Sequence, residues 1–179
     1  MENGLNVIMR AAVFAAERHR GQVRKGADST PYIEHPLAVA QALAEEGGVD
    51  DAEMLAAALL HDTIEDTPTV YDDLSEEFGD RVAGMVVELT DDKRLPKAER
   101  KQLQIEHAAH ICRDAQQIKL ADKLCNLREI LANPPADWSV ARKAQYFEWS
   151  KRVVDQMRGA NPVLEQLFDA AYAKGSSAA

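Results

Sequence analysis

Apolar positions along the chain fall into a succession of helical stripes separated by short polar or glycine-proline breaks. Leu5, Ile8, Met9, Ala12, Val13 and Ala16 recur at helical spacing, and the pattern stops at Gly21. A polar loop, QVRKGADST, follows. Pro36 then opens a helix carrying Leu37, Val39, Ala40 and Leu43, which Gly47-Gly48 ends. Asp50, with Glu53 three residues on, makes a capping box for the helix containing MLAAALLHD. A short helix from Asp72 to Phe78 stops at Gly79, and another runs from Asp80 to about Leu89. Pro96 restarts a helix through KAERKQLQIEHAAH. In DAQQIKLADKLCNLREILAN, apolar residues at 118, 120, 121, 124, 127, 130 and 131 predict a strongly amphipathic helix, broken by Asn133-Pro134-Pro135. Ser139 caps a long helix to about Met157, and Asn161-Pro162 is an N-cap and first-turn pair for a final helix. There is no strand alternation, internal repeat or interdomain linker. The expected fold is therefore all-α, one domain over residues 1–174, a bundle of about eight to ten helices, with 175–179 as a frayed tail.

Composition narrows the classes. A chain of 179 residues can bury a core without disulfides or a structural metal. Thirty acids against twenty-one Lys and Arg give a net charge of −9. That argues against a general nucleic-acid or membrane-surface partner, while leaving room for a local basic pocket. No apolar run is long enough to span a bilayer. The start, MENGLNVIMR, lacks a signal-peptide core, so the expected location is cytoplasmic. Cys112 and Cys125 are not spaced as a metal knuckle and read as free thiols.

The stretch LLHDTIEDT, Leu59–Thr67, sets two core leucines against four ionisable side chains. If the helix continues through it, Glu65 lies four residues after His61 and three after Asp62, and Asp66 lies four after Asp62. All four then share a face. A divalent cation relieves the repulsion of three such carboxylates; taken alone, a solvated acidic helix end fits as well. His35 lies between a turn and the proline-started helix, where alone it reads as a surface histidine. Asp122 sits in the most apolar helix, with Asn126 one turn later and Lys119 nearly one turn before. Alone it is as readily a polar-face residue paired with Lys119 or Lys123.

Together these residues spell H…HD…D, and in that order the sequence resembles the HD superfamily of metal-dependent phosphohydrolases. The finer resemblance is to the hydrolase domain of RelA/SpoT proteins and to stand-alone small alarmone hydrolases, including the metazoan SpoT homologue. The stretches RKGADSTPYIEHPLAVA, ALLHDTIEDT, ELTDDKRLPKAERKQLQ and KLADKLCNLREI carry it, and ARKAQYFEW downstream also fits. No synthetase domain is expected in this chain. The resemblance implies a helical HD-domain bundle with one manganese ion held by His35, His61, Asp62 and Asp122. Two imidazoles and two carboxylates suit manganese, iron or zinc more than calcium or magnesium. It implies hydrolysis of the 3′-pyrophosphate of ppGpp and pppGpp, a small-molecule nucleotide substrate, to pyrophosphate and GDP or GTP.

Glu65 and Asp66 are expected to position and deprotonate the attacking water and to protonate the leaving oxygen, with the division of roles left open. For substrate binding, Arg24 could stack on the base beside Lys25, Lys97 could face the 5′ phosphates, and Asn126 matches the family's nucleotide-contacting asparagine. Arg142 and Tyr146 share a helix face, although Trp149 one turn on fits core packing for Tyr146. Arg100 reads as part of a salt-bridged face. Two other functions are consistent with the same residues. One is an HD nucleotide phosphatase acting on NADPH or nucleoside monophosphates. The other is a non-enzymatic metal- or nucleotide-binding module, which would have no need of the Glu65–Asp66 pair.

Overall fold

The computed structural model describes residues 3–26 and 28–177. Its helices are α1 (Gly4–Arg18), α2 (Glu34–Gln41), α3 (Ala52–Leu60), α4 (Thr63–Asp66), α5 (Tyr71–Phe78), α6 (Asp80–Leu89), α7 (Lys97–His107), α8 (Arg113–Ala132), α9 (Val140–Val154) and α10 (Pro162–Ser177). Helix α2 runs on through a π-helical turn at Ala42–Glu46. An isolated bridge between Val23 and Pro31 ties down the loop between α1 and α2. The fold is all-α, as the periodicity predicts. Among the described residues no helix is long and apolar enough to cross a membrane.

The core is built around α3 and α8. Every residue of α3 from Met54 to Leu60 is buried, because the helix packs against α1, α2, α6 and α8. Its alanines, 56 to 58, let those neighbours approach closely. The cap of α3 is Asp51, one residue later than expected: its backbone is extended, and its Oδ1 accepts from Glu53 N and Met54 N at 3.0 and 3.1 Å. Ser139 and Asn161 cap α9 and α10 as anticipated. Helix α2 begins two residues before Pro36. The proline's missing N–H falls in the first turn, where amides have no partner inside the helix.

Three departures from the sequence pattern matter more. The helix carrying Leu59 and Leu60 does not continue through HDTIED. It ends at Leu60; Asp62, at φ −99° and ψ −2°, turns the chain, and Thr63 starts α4. The Thr63 hydroxyl holds this break by donating to Leu60 O at 2.7 Å. Helix α8 is not amphipathic in its surroundings: α2, α3, α6, α9 and α10 all pack on it, so Lys119 and Lys123 are buried along with the apolar stripe. Finally, α10 continues through Ser177 rather than fraying at Gly175. Gly175 lies so close to the Phe147 ring that any Cβ would overlap it. Residues 178–179 of the expected tail lie outside the described residues.

Candidate active site

The turn between α3 and α4 faces α2 and the middle of α8, and this brings His35, His61, Asp62 and Asp122 together. His35 Nε2 lies 3.1 Å from Asp122 Oδ1 and 3.9 Å from Asp62 Oδ2. His61 Nε2 lies 3.1 Å from Asp62 Oδ2 and 3.9 Å from Asp122 Oδ1. One donor atom from each of His35, His61 and Asp62 falls within 4.8 Å of the others. His61 Nδ1 donates to Ala58 O at 2.8 Å, so Nε2 is the ring atom facing the carboxylates, and it offers a lone pair once its proton is displaced. That nitrogen is buried and, though 3.1 Å from Asp62 Oδ2, is not aligned for a hydrogen bond. A buried, oriented imidazole nitrogen between two carboxylates fits a divalent cation, and the mixed nitrogen and oxygen ligands suit a transition ion.

The charges of the cluster are interlocked. Burial lowers His35 below the ordinary histidine range. For His61 burial works the same way, but the Asp62 and Asp122 carboxylates outweigh it and hold the imidazole up to about 9. Burial would raise both aspartates. The histidines instead keep Asp62 far down, and Lys123 with the histidines does the same for Asp122. Side chains behind the cluster fix its geometry. Tyr32 Oη donates to Asp62 Oδ2 at 2.6 Å and to Asp66 Oδ2 at 3.1 Å. Lys123 Nζ donates to Asp122 Oδ2 at 3.0 Å, and Asn126 Nδ2 donates to Asp122 Oδ1.

Glu65 and Asp66, on α4, stand beside this centre in different settings. Glu65 accepts from the Asp91 amide at 3.2 Å and lies 3.9 Å from Arg100 Nη1. Burial, then the nearby Asp91 and Asp62 charges, push its carboxyl up to about 7. Asp66 is held by Tyr32 and Lys93, while its carbonyl accepts from Gln22 Nε2 at 2.9 Å.

Two cavities meet here. A small one of about 170 Å³ is lined by the His–Asp cluster together with Lys119 and Lys123. A larger one of about 1260 Å³ is lined by Lys25, Lys97, Arg142 and Tyr146. Arg24, Tyr32, Glu65, Asp66 and Asn126 line both. Each candidate metal, catalytic and substrate-binding residue therefore lines one cavity or the other. Arg24 is gripped by the Glu129 carboxylate and donates to Asn126 Oδ1 at 2.8 Å, with its guanidinium 5.5 Å from the Tyr32 ring centre. Arg142 pairs with Asp137 and lies over Trp138. Tyr146 is flanked by Trp138 and Trp149, so it packs against aromatic rings and lines the cavity at once.

Sequence reasoning missed Tyr32, Lys93, Lys101 and Glu129. Tyr32 precedes His35 by three residues, and no periodicity distinguishes it. Lys101, lying over the Trp149 and Tyr146 rings, is one turn beyond Lys97 on α7 and could have been found by that spacing.

Comparison with known proteins shows the family. The sequence model of the HD domain matches residues 11–146, a span that contains every candidate site residue. The chain is 50% identical over 169 residues to the guanosine-3′,5′-bis(diphosphate) 3′-pyrophosphohydrolase of Xenopus tropicalis, covering 94% of each chain. It is 50% identical over 159 residues to the protein of the same description from Homo sapiens, covering 89% of each. A solved structure described as a metazoan orthologue of SpoT that hydrolyses ppGpp matches with a TM-score of 0.91 at 46% identity, over 94% of both chains. With its paired histidines and aspartates inside the matched span, this chain belongs to the HD domain family.

Proposed function

We propose that the chain is a (p)ppGpp 3′-pyrophosphohydrolase that works with one manganese ion. Water adds to the phosphorus attached to the ribose 3′ oxygen, the bond to that oxygen breaks, and pyrophosphate leaves GDP or GTP behind. One observation carries this reading. The acid pair Glu65–Asp66 stands where the small His–Asp cavity opens into the large cation-lined one. A polyanion held in the large cavity can thus present one phosphate to the centre. The half-identity to proteins described by this activity, over nearly the whole chain, supports the same substrate.

His35, His61, Asp62 and Asp122 would hold the ion, which when bound polarises a phosphoryl oxygen and lowers the pKa of water. The remaining work falls to side chains of this chain. Glu65, with its proton affinity near neutrality, is poised to exchange a proton with water or with the leaving 3′ oxygen. Asp66, oriented by Tyr32 and Lys93, fixes the position of the attacking water. Lys97, Lys25 and Arg142 offset the charge of the 5′ phosphates, while Tyr146 and Arg24 flank the nucleoside and Asn126 contacts it.

The test is to incubate purified protein and manganese with ppGpp, NADPH and nucleoside monophosphates in parallel and identify the products. GDP and pyrophosphate from ppGpp are expected. Orthophosphate released from NADPH or the monophosphates, with ppGpp untouched, would overturn the substrate assignment. Full activity after exhaustive chelation would overturn the role of the metal.

A further inference from the structure

Helix α8 carries two lysines one turn apart, and both are buried: Lys119 is 7% exposed and Lys123 is 5% exposed. Their circumstances differ. Lys123 Nζ donates to Asp122 Oδ2 and lies 4.7 Å from the Trp149 ring centre. Among the described residues, no side chain or carbonyl pairs with the Lys119 ammonium. Asp122, Asp91 and Glu65 are near enough to act on its charge, but none closes a hydrogen bond on it. An ammonium on so enclosed a side chain, with no protein hydrogen bond, has only the cavity it lines to face, and that placement calls for a cause.

The cause lies in the cavity it lines. Lys119 borders the 170 Å³ cavity together with His35, His61, Asp62, Glu65 and Asp122. It stands three residues before Asp122 on α8, a spacing that puts both side chains on one face. A dication held by Asp62 and Asp122 would offset their negative charge and leave the ammonium, already beside the Lys123 charge, with only the more distant pull of Asp91 and Glu65. An anion entering the cavity would give it a direct partner. The anion that the proposed reaction brings to this point is the phosphate being cleaved.

We propose that Lys119 is a further substrate-contacting residue, whose ammonium takes a non-bridging oxygen of the phosphate group that is hydrolysed. This rests on the hydrolase reading given above. Lys119 thus differs in role from Lys123, which orients Asp122, and from Lys97, which faces the larger cavity.

The experiment compares wild type with Lys119→Met and Lys119→Gln. It measures ppGpp turnover, bound manganese, thermal unfolding of the metal-free protein, and calorimetric binding of inorganic pyrophosphate to the manganese-loaded protein. Both variants are expected to retain manganese. Their kcat/KM should fall about 10²-fold, with kcat lowered more than KM is raised, as when one donor to a developing anionic centre is removed. Pyrophosphate binding should weaken about tenfold, in line with loss of a charge-assisted hydrogen bond. The metal-free Lys119→Met protein should melt at or above the wild-type temperature, because an unpaired charge has given way to an apolar chain of similar length. Turnover and pyrophosphate binding both within about threefold of wild type, the ordinary scatter of such contributions, would overturn the proposal. So would a lower metal-free melting temperature together with lost manganese, which would make Lys119 a counter-charge for the acids. If wild type binds pyrophosphate through Lys119 yet releases none from ppGpp, the hydrolase reading falls and the phosphate contact stands.

Discussion

Glu65 shows how one side chain can serve activity at the expense of stability. Burial and the neighbouring acids put its carboxyl up to about 7, against 4.5 for an ordinary glutamate. The folded state therefore holds that proton more tightly than the unfolded chain. Its contribution to stability is full below about pH 4.5 and is lost as pH rises toward about 7. Glu65→Gln removes this loss, so the metal-free variant should be more stable than wild type above about pH 7, by on the order of 2 kcal/mol. Denaturant melts at several pH values measure this, and equal stability across the range would contradict the burial of Glu65. Activity should move oppositely: wild-type turnover climbs with pH as Glu65 loses its proton, at a lower pH once an ion sits beside it, while Glu65→Gln is lower by about 10²–10⁴ and loses that limb. The residue types of the centre are legible because Glu65 and Asp66 follow His61-Asp62 directly, with His35 before and Asp122 after them in the order of the HD pattern. Tyr32 is not, since a lone tyrosine carries no pattern until its hydroxyl is seen on Asp62 and Asp66. Tyr32→Phe keeps the ring stacked on His19, 4.8 Å between centres, but loses both bonds. A loss of about 10–100-fold in metal affinity or turnover is expected, measured by metal titration and kinetics on the same preparation. Unchanged values would make the tyrosine a packing residue.

At the scale of elements, apolar spacing with a cap, glycine or proline placed most helix ends to within a residue or two, and Gly175, through which α10 continues, is the exception. It failed at HDTIED because that stretch has ideal helical spacing; the break depends on Thr63 bonding to Leu60 O and on α8 lying opposite. The same limit applies to α8. Its stripe of apolar residues was legible, but the burial of its lysines follows from five other helices closing around it. This changes what Asp122→Ala should do. Besides removing a ligand, it takes the partner from Lys123 and an acceptor from His35 and Asn126. Breaking a buried pair from one side costs about 3–5 kcal/mol, so the metal-free protein should already be destabilised by that amount. Urea unfolding of chelated protein measures it. Stability equal to wild type would show that Lys123 finds another partner and that α8 is less tightly enclosed than described.

Over the whole molecule, a net charge of −9 conceals a local excess of cations: Lys25, Lys93, Lys97, Lys101 and Arg142 all border the large cavity. Composition alone excludes a broad polyanion-binding surface but not a pocket, because bulk charge is an average over a surface that folding sorts into regions. The fold applies the same sorting to the acids, gathering Asp62 and Asp122 from α3–α4 and α8 around two imidazoles. A metal bound there ties α2, α3 and α8 together and stabilises only the folded chain. At an ion concentration about 100 times its Kd, that linkage is worth about 2.7 kcal/mol. For a chain of this size it corresponds to roughly 5–10 °C in melting temperature. The effect should depend on pH with a definite sign. His61, held up to about 9, carries a proton near neutrality that the ion must displace. Binding therefore releases a proton, and affinity strengthens as pH rises toward about 9. Thermal scans with manganese or with chelator, at about pH 6 and about pH 8, should give the larger difference at the higher pH. An equal difference at both would mean that His61 holds no displaceable proton. No difference at either would mean that the folded centre binds no ion, and the joining of α2, α3 and α8 would then rest on the hydrogen bonds alone.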